Sequence, residues 1–315
     1  MHGKGADQME QWETIFNYIV IGWYCGYIYF IAYLHVHHSI PYRNEYNEEY
    51  CKSIPNRYAP GILSMLMYKK ITPEVFTASI FSLIKRNVLG VVISDNKYIL
   101  YLVNPEYKNL DLGSSQKYLL DFLVDIMGEE NKISLDKLYN YCSGNTSSSS
   151  FLLNYQIWKQ IILKESCKIK FFEDKVEYTK VHIYKRIGLV LVVLNFILQY
   201  HLFLGYFLLV PIYFLPLYFY KIFKRTVDAN EEYYKWLAFK NYLANLSNFT
   251  YDKQEMDKYL IYATVLKVNN EFANQVPNVT SIDFVNKLNI AINRCVIKAT
   301  LYGNRGIKKF GSKNK

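Results

Sequence analysis

The chain has 315 residues, of which 51% are hydrophobic and 17% aromatic, and this composition excludes a disordered chain. Charged residues make up only 20% of the sequence, and the uncharged stretches are concentrated in two places, which argues against a freely soluble protein and predicts a membrane protein. The formal net charge of +10 favours contact with anionic lipid headgroups or nucleic acid without choosing between them.

The first uncharged run covers residues 14–34. As a helix it would be about 31 Å long, close to the hydrocarbon thickness of roughly 30 Å, so we expect a transmembrane helix preceded by a short external tail, residues 1–13. The acidic start predicts an uncleaved anchor and not a cleaved signal peptide. Gly22 and Gly26 form a G-x-x-x-G step in this run. They are candidate helix-packing residues, although this spacing also arises by chance.

Residues 35–186 predict an α+β, tandem winged-helix-like cytoplasmic region, with one module at 35–142 and a second at 143–186. Each module would have helices followed by a β-hairpin. Helices are expected at 62–69, 73–87, 116–127, 134–142 and 151–165. The hairpin strands are expected at 88–93 and 98–103, and at 168–172 and 175–178. Thr72 as N-cap and Pro73 at the first helical position mark the start of the second helix.

The second uncharged run covers residues 187–220 and would be about 51 Å long as one helix, too long for a bilayer. We expect a hairpin of two transmembrane helices with both ends in the cytoplasm, because basic residues flank it. These candidate membrane-surface residues are Lys185, Arg186, Lys221, Lys224 and Arg225. The alternative is one span followed by an interfacial segment broken at Pro211 and Pro216.

Residues 221–302 predict a cytoplasmic helical unit with helices at 228–246, 253–274 and 281–302, followed by a basic disordered tail at 303–315. The expected fold class is therefore an integral membrane α-helical protein with three transmembrane helices, the α+β cytoplasmic region and the C-terminal helical unit. The expected location is the cell membrane, multi-pass, with the bulk of the chain cytoplasmic.

Two stretches carry short motifs. The first, between residues 55 and 92, contains Tyr58, Pro60, Lys70-Ile71-Thr72-Pro73, Thr77-Ala78, Leu83, Arg86 and Leu89. The second, between residues 225 and 263, contains Arg225-Thr226, Trp236, Phe239-Lys240-Asn241-Tyr242-Leu243 and Tyr259-Leu260-Ile261-Tyr262-Ala263. In these motifs the chain resembles the YciQ-like predicted membrane proteins of the domain-of-unknown-function 2207 (DUF2207) family. Asn87 and Asn230 depart from it, since family members are expected to have glycine there. The resemblance implies a multi-span membrane protein with cytoplasmic modules and no established reaction.

The sequence offers no clear catalytic, cofactor or metal site. The five cysteines show neither a C-x-x-C pair nor zinc spacing, so free thiols are expected. His35, His37 and His38 could ligate a metal, but the headgroup layer at a helix end is a normal place for histidine, so the metal-ligand interpretation is disfavoured. We expect no enzymatic activity and no cofactor, and no small-molecule substrate is identified.

These observations favour a non-enzymatic docking or assembly platform anchored in the membrane. Its partners would be the lipid bilayer and proteins on the cytoplasmic side. The alternative is a membrane-tethered winged-helix regulator that binds nucleic acid. It is less favoured because the candidate recognition helices at 73–87 and 151–165 carry few polar side chains on one face.

Overall fold

The structure is a computed structural model that describes residues 41–95, 97–144, 147–173, 224–249, 255–276 and 280–311, together with scattered helical positions between residues 11 and 36 and between residues 183 and 193. The chain divides into two compact units. One contains Met1–Arg43 and Phe172–Val227, and the other, here named the main unit, contains Asn44–Phe171 and Asp228–Lys315. The described strands and almost all described helical turns belong to the main unit.

The described part of the main unit is mostly helical, with one small sheet. The helices are α1 (Pro60–Tyr68), α2 (Pro73–Lys85), α3 (Ser114–Met127), α4 (Leu135–Ser143), α5 (Ser147–Lys168), α6 (Val227–Ala244), α7 (Met256–Leu266), α8 (Asn269–Gln275) and α9 (Thr280–Gly311). The strands are β1 (Leu89–Ser94), β2 (Lys97–Leu102) and β3 (Lys132–Ser134). Short 3-10 turns lie at Tyr107–Asn109, Gly128–Glu130 and Leu246–Asn248.

Helix α2 is the centre of the core. Eight of its thirteen residues are buried, and seven of them are consecutive, so the helix has no solvated face along most of its length. It packs against α1, α7, α9 and β1. The ring of Phe76 meets the ring of Trp158 on α5 edge to face, with 5.0 Å between their centroids. The hydroxyl of Thr77 donates to Oδ1 of Asn289 on α9 at 3.2 Å, so a buried polar group on this helix has a partner.

The start of α2 follows the sequence prediction. Thr72 is the N-cap residue and Pro73 the first helical residue. The Thr72 side chain makes no capping hydrogen bond, and its hydroxyl has no partner among the described residues. The fixed φ of Pro73 therefore favours the start of α2, and the side chain of Thr72 contributes no capping hydrogen bond.

The sheet has three antiparallel strands in the order β1-β2-β3. The predicted hairpin of β1 and β2 is confirmed, with Leu89 opposite Leu102 and Ser94 opposite Lys97. Asp95 in its turn has φ 50°, in the left-handed region that a tight turn needs. The buried face packs against α2, α3 and α4. Its fully buried residues are Leu89, Leu100 and Ile133.

The C-terminal helices pack into the same core as the first half of the main unit. Helix α7 contacts α1 and α2, and α9 contacts α2, α4 and α5. The single helix expected at 253–274 is two helices, because Lys267 has φ 63° and ends α7 in the left-handed conformation. Asn87 also has a positive φ, 56°, as expected for a residue standing in for glycine, whereas Asn230 is a buried residue of α6 and not a turn residue.

The prediction of three transmembrane helices is contradicted. In the part of the chain that the structure describes, no helix is both long enough and apolar enough to cross a membrane. The two longest described helices, α5 with 22 residues and α9 with 32, carry charged residues along their length, because one face of each is solvated while the other packs into the core. Most of the second apolar run, residues 194–220, lies outside the described residues, and with it the expected hairpin turn and the alternative break at Pro211 and Pro216.

The structure does not show the expected tandem winged helices. The second hairpin was expected at residues 168–172 and 175–178, but α5 continues through Lys168, and residues 175–178 lie outside the described residues. Phe172 then forms an isolated antiparallel bridge with Arg225. The third strand of the described sheet comes from β3, which pairs with the first hairpin. A single sheet therefore serves both halves of the 44–171 segment, and the described chain is mostly helical.

Substitution of two glycines that have close neighbours tests this packing. An added Cβ at Gly61 in α1 would fall 2.7 Å from Cγ2 of Ile162, a residue that is 1% exposed and has no room to move. An added Cβ at Gly90 in β1 would overlap the ring of Tyr101, but that side chain is partly exposed and can swing outward. We expect Gly61→Ala to lower the free energy of unfolding by about 1–3 kcal/mol and Gly90→Ala to change it by less than about 1 kcal/mol. Urea unfolding of the purified chain measures both, and equal losses would contradict the packing around α1.

Candidate functional site

Strand β1 forms one of the two edges of the described sheet. Among the described residues, β1 pairs only with β2, in a register without a bulge. Its sequence, Leu-Gly-Val-Val-Ile-Ser, contains no charged residue and no proline. Val92 and Ile93 are 48% and 59% exposed. Natural edge strands usually carry a charge, a proline or a bulge that prevents pairing with another chain. This open edge, named the β1 edge, has none of these protections.

The outer face of the hairpin extends the apolar surface beside the β1 edge. Val92 stands opposite Ile99, and Gly90 stands opposite Tyr101, whose ring covers the glycine backbone. Tyr101 and Val103 are exposed, although both are large apolar residues. Aliphatic and aromatic cross-strand pairs of this kind give an added strand side chains to pack against.

A groove lies at the turn end of the hairpin, between the start of β2, the start of α4 and the middle of α9. Its volume is about 440 Å³, within the range of small-ligand sites. Cationic, aromatic and aliphatic side chains line it together. The lining residues are Lys97, Tyr98, Leu135, Asp136, Tyr139, Lys287, Ile290, Ala291 and Arg294.

The charges of the groove are unevenly balanced. Nζ of Lys97 lies 3.2 Å from Oδ2 of Asp136, and Nζ of Lys287 lies 3.0 Å from Oδ2 of Asp283. Arg294 is a third cation, and no carboxylate of the described residues lies within ion-pair distance of its guanidinium. With three cations against two carboxylates, the groove has one positive charge in excess and is suited to an anionic group.

A hydrogen bond ties the hairpin to α9 at this groove. The hydroxyl of Tyr98 donates to Oδ2 of Asp283 at 2.6 Å, and Nζ of Lys287 lies 5.1 Å from the centroid of the Tyr98 ring. The hydrogen bond to Asp283, with burial and the carboxylate charge, raises the pKa of Tyr98 to about 12. The same hydrogen bond and the contact with Lys287 lower the pKa of Asp283. At neutral pH, Tyr98 therefore stays protonated and Asp283 stays ionised, and this preserves the hydrogen bond between them.

The motif residues found in the sequence meet in the core beneath α6 and α7. Trp236 is fully buried, and its ring centroid lies 5.6 Å from that of Phe239 and 5.0 Å from that of Tyr262. Tyr58, from the first motif stretch, stacks on Trp236 at 6.3 Å. The two stretches therefore contact each other, and their aromatic residues pack the interior and do not line the groove.

Both stretches lie within a segment that matches a known family. A sequence model described as "Predicted membrane protein (DUF2207) C-terminal domain" matches residues 47–276, well over half of the chain. The chain belongs to the DUF2207 family. No curated protein and no solved structure matches it. Membership in a family of predicted membrane proteins supports a membrane location for this DUF2207 protein, and the family has no established function.

The predicted helix-packing residues of this DUF2207 protein lie outside the main unit. Gly22 and Gly26 have helical backbone, and no described atom lies within 4 Å of the position that a Cβ would take at either residue. The described residues thus provide no neighbour packed on this step, and the packing role of the two glycines stays a prediction.

The predicted membrane-surface cations are only partly described. Two of the five lie outside the described residues: Lys185 and Lys221. Arg186 is exposed on helical backbone. The ammonium group of Lys224 lies 3.7 Å from the centroid of the Tyr42 ring, and Arg225 forms the isolated bridge with Phe172. Nothing in these contacts tests a lipid interaction, so this role also stays a prediction.

The structure describes some of the residues that were considered as metal ligands or reactive thiols. Among the described residues, no cluster of His, Cys, Asp and Glu is arranged to hold a metal ion, while His35, His37 and His38 lie outside them. All five cysteines are free. Cys142 on α4 and Cys295 on α9 are buried, and the Cys295 thiol donates to the carbonyl of Leu138, one turn before Cys142, at 3.7 Å. The hydrogen bond with Cys295, together with burial, raises the pKa of the Cys142 thiol.

Sequence reasoning missed both the β1 edge and the groove. The groove joins Lys97, Asp136 and Lys287, which are far apart in the sequence, so no local spacing could reveal it. A weaker signal was present in α9, where Ile290 and Ile297 lie seven residues apart on a face that also carries Arg294. The β1 edge was visible as an uncharged strand, but its place at the edge depends on the long-range pairing of β3.

The different exposure of the five cysteines predicts that the folded chain has fewer reactive thiols than the unfolded chain. Cys25 and Cys167 are exposed and Cys51 is partly exposed, whereas Cys142 and Cys295 are buried. Because only an accessible thiolate reacts, we expect the folded chain to give three reactive thiols with Ellman's reagent and the unfolded chain five. A folded-state reading of five would show that the contact between α4 and α9 opens readily.

The Tyr98–Asp283 link predicts a pH-dependent stability. The folded-state pKa of Asp283 is below its ordinary value of 3.8, so its contribution is present above that pH and is lost as the pH falls through the lowered pKa. We expect Asp283→Asn to lower the melting temperature by about 1–2 °C at pH 7, since the group is exposed, and the difference from the parent chain to shrink below about pH 4. Thermal unfolding followed by circular dichroism between these pH values measures the effect. A difference that does not vary with pH would contradict it.

Proposed function

We propose that this DUF2207 protein is a membrane-associated, non-enzymatic docking protein, with its main unit on the cytoplasmic side of the membrane. An extended segment of a partner protein would add to the sheet at the β1 edge. The family consists of predicted membrane proteins, which supports the membrane association. Five free cysteines, two of them neighbours in the core, agree with a reducing compartment such as the cytoplasm.

The exposure of the β1 edge is the observation that carries this proposal. An extended peptide gains its affinity from main-chain hydrogen bonds to an open strand and its specificity from alternate side chains. The β1 edge offers an uncharged strand for the first and the exposed apolar residues Val92, Tyr101 and Val103 for the second. A strand with these properties that stayed unpaired would favour aggregation. A cognate partner strand is the simplest account of its persistence.

The contacts of the predicted recognition helices disfavour the nucleic-acid alternative. At the end of α2, Nζ of Lys85 lies 2.5 Å from Oδ2 of Asp257, and the guanidinium of the next residue, Arg86, donates to the carbonyl oxygen of Asp111 at 2.7 Å. On α5, Lys159 lies over the ring of Tyr155 at 4.9 Å, and burial lowers its pKa. These cations are engaged within the protein, so they present no exposed row for phosphates or base edges.

A peptide selection tests the docking proposal. The detergent-purified full chain is used to select binders from a displayed library of random peptides, and the affinity of an enriched peptide is measured by fluorescence anisotropy. We expect Val92→Lys to weaken binding by about tenfold or more, because a charge on the strand obstructs the packing of an added strand. Leu153→Lys, at an exposed apolar residue of α5, is the matched control and should leave the affinity unchanged.

Amide exchange and a gel shift complete this test. The bound peptide should slow hydrogen exchange of the β1 amides, since they become paired. Peptides that bind without protecting β1, or that bind Val92→Lys as well as the parent chain, would refute docking at the β1 edge. A gel shift of duplex DNA with a steep salt dependence and a sequence preference would favour the nucleic-acid regulator instead.

A further inference from the structure

Helix α9 is apolar on two faces. One face packs into the core against α2, α4 and α5. The opposite face carries Ile290, Ile297 and Leu301, which are 52%, 60% and 57% exposed. Steps of seven and four residues place all three on one side of the helix. In the part of the chain that the structure describes, no element covers this stripe.

Cations accompany the stripe. Arg294 lies four residues after Ile290 and is exposed on the same side of α9. Lys287, one turn before Ile290, is balanced by Asp283, whereas the guanidinium of Arg294 has no carboxylate within ion-pair distance among the described residues. A guanidinium in this position can hold two oxygens of a phosphate at once. The stripe therefore combines exposed aliphatic groups with an available phosphate-binding cation.

The combination selects among possible occupants. A free phosphate ion would use Arg294 but would leave Ile297 and Leu301 exposed, and a nucleic acid would also give the aliphatic groups no apolar environment. An anionic membrane surface satisfies both, because its phosphates meet the cation and its acyl boundary receives the aliphatic side chains. The net charge of +10 and the membership in a family of predicted membrane proteins point in the same direction.

We infer that the exposed stripe of α9 is a contact surface for an anionic phospholipid membrane. Arg294 binds a headgroup phosphate, and Ile290, Ile297 and Leu301 enter the boundary between headgroups and acyl chains. The groove beside Arg294 has room for one headgroup, and Tyr98 and Tyr139 line it, as tyrosines do at the interface of a bilayer. This surface is separate from the β1 edge, so each can fail without the other.

Photo-crosslinking tests the contact in the full chain. A photoreactive benzoylphenylalanine replaces Ile297, and the chain is reconstituted into vesicles of phosphatidylcholine alone or of phosphatidylcholine mixed equally with phosphatidylglycerol. Leu153, an exposed apolar residue of α5, carries the same photoreactive group in the control chain. Irradiation followed by intact mass spectrometry identifies the lipid attached at each position.

We expect phosphatidylglycerol adducts at position 297 in the mixed vesicles and several-fold fewer at position 153. Arg294→Ala in the photoreactive chain should reduce the adduct yield about fivefold, the effect of one cation at an anionic surface, while Lys164→Ala on α5 should not change it. Circular dichroism checks that each variant folds. Equal yields at positions 153 and 297, equal yields in both kinds of vesicle, or crosslinks to a second copy of the chain would each overturn the inference.

Discussion

The burial of α2 on every side is the constraint on which the rest of the main unit depends. A helix without a polar face needs neighbours in all directions, and these come from both halves of the sequence. The first half supplies α1, α5 and β1, and the second half supplies α7 and α9. The edge-to-face contact of Phe76 with Trp158 and the hydrogen bond from Thr77 to Asn289 connect the first half to α5 and to α9. The groove lies where α9 passes beside the hairpin.

The motif stretches in which this chain resembles the DUF2207 family contain residues that pack its interior. Tyr58, Trp236 and Tyr262 hold α6 and α7 to the segment before α1, and none of them lies at the surface features that we connect with binding. The function of this chain has to be sought in exposed residues and not in these packed aromatic side chains.

The sequence predicted local structure well wherever one short-range signal decided it. Pro73 fixed the start of α2, Asp95 marked the hairpin turn, and apolar periodicity located α9. The errors arose where long-range packing decided the outcome. Residues 168–172 have the alternation of a strand, but α5 extends to Lys168, and Ser166 in its last turn is buried. The apolar runs were assigned to membrane spans from their hydropathy. Among the described residues no helix is long and apolar enough to cross a membrane, and residues 194–220 lie outside them. Neither the groove nor the β1 edge has a local signature, since both arise from segments distant in the chain.

The position of α9 in the chain also shapes how the protein is made. This helix supplies the last side of the core, with buried residues that extend to Ala299. A ribosome synthesises α2 some two hundred residues earlier, and the nascent chain must carry this helix, whose central residues are all buried in the finished fold, incompletely covered until α9 has left the exit tunnel. During this interval the protein depends on chaperones or on early contacts with α1, α5 and β1 to avoid association with other chains. Co-translational folding, and not the finished fold, is thus the stage at which this architecture is most vulnerable.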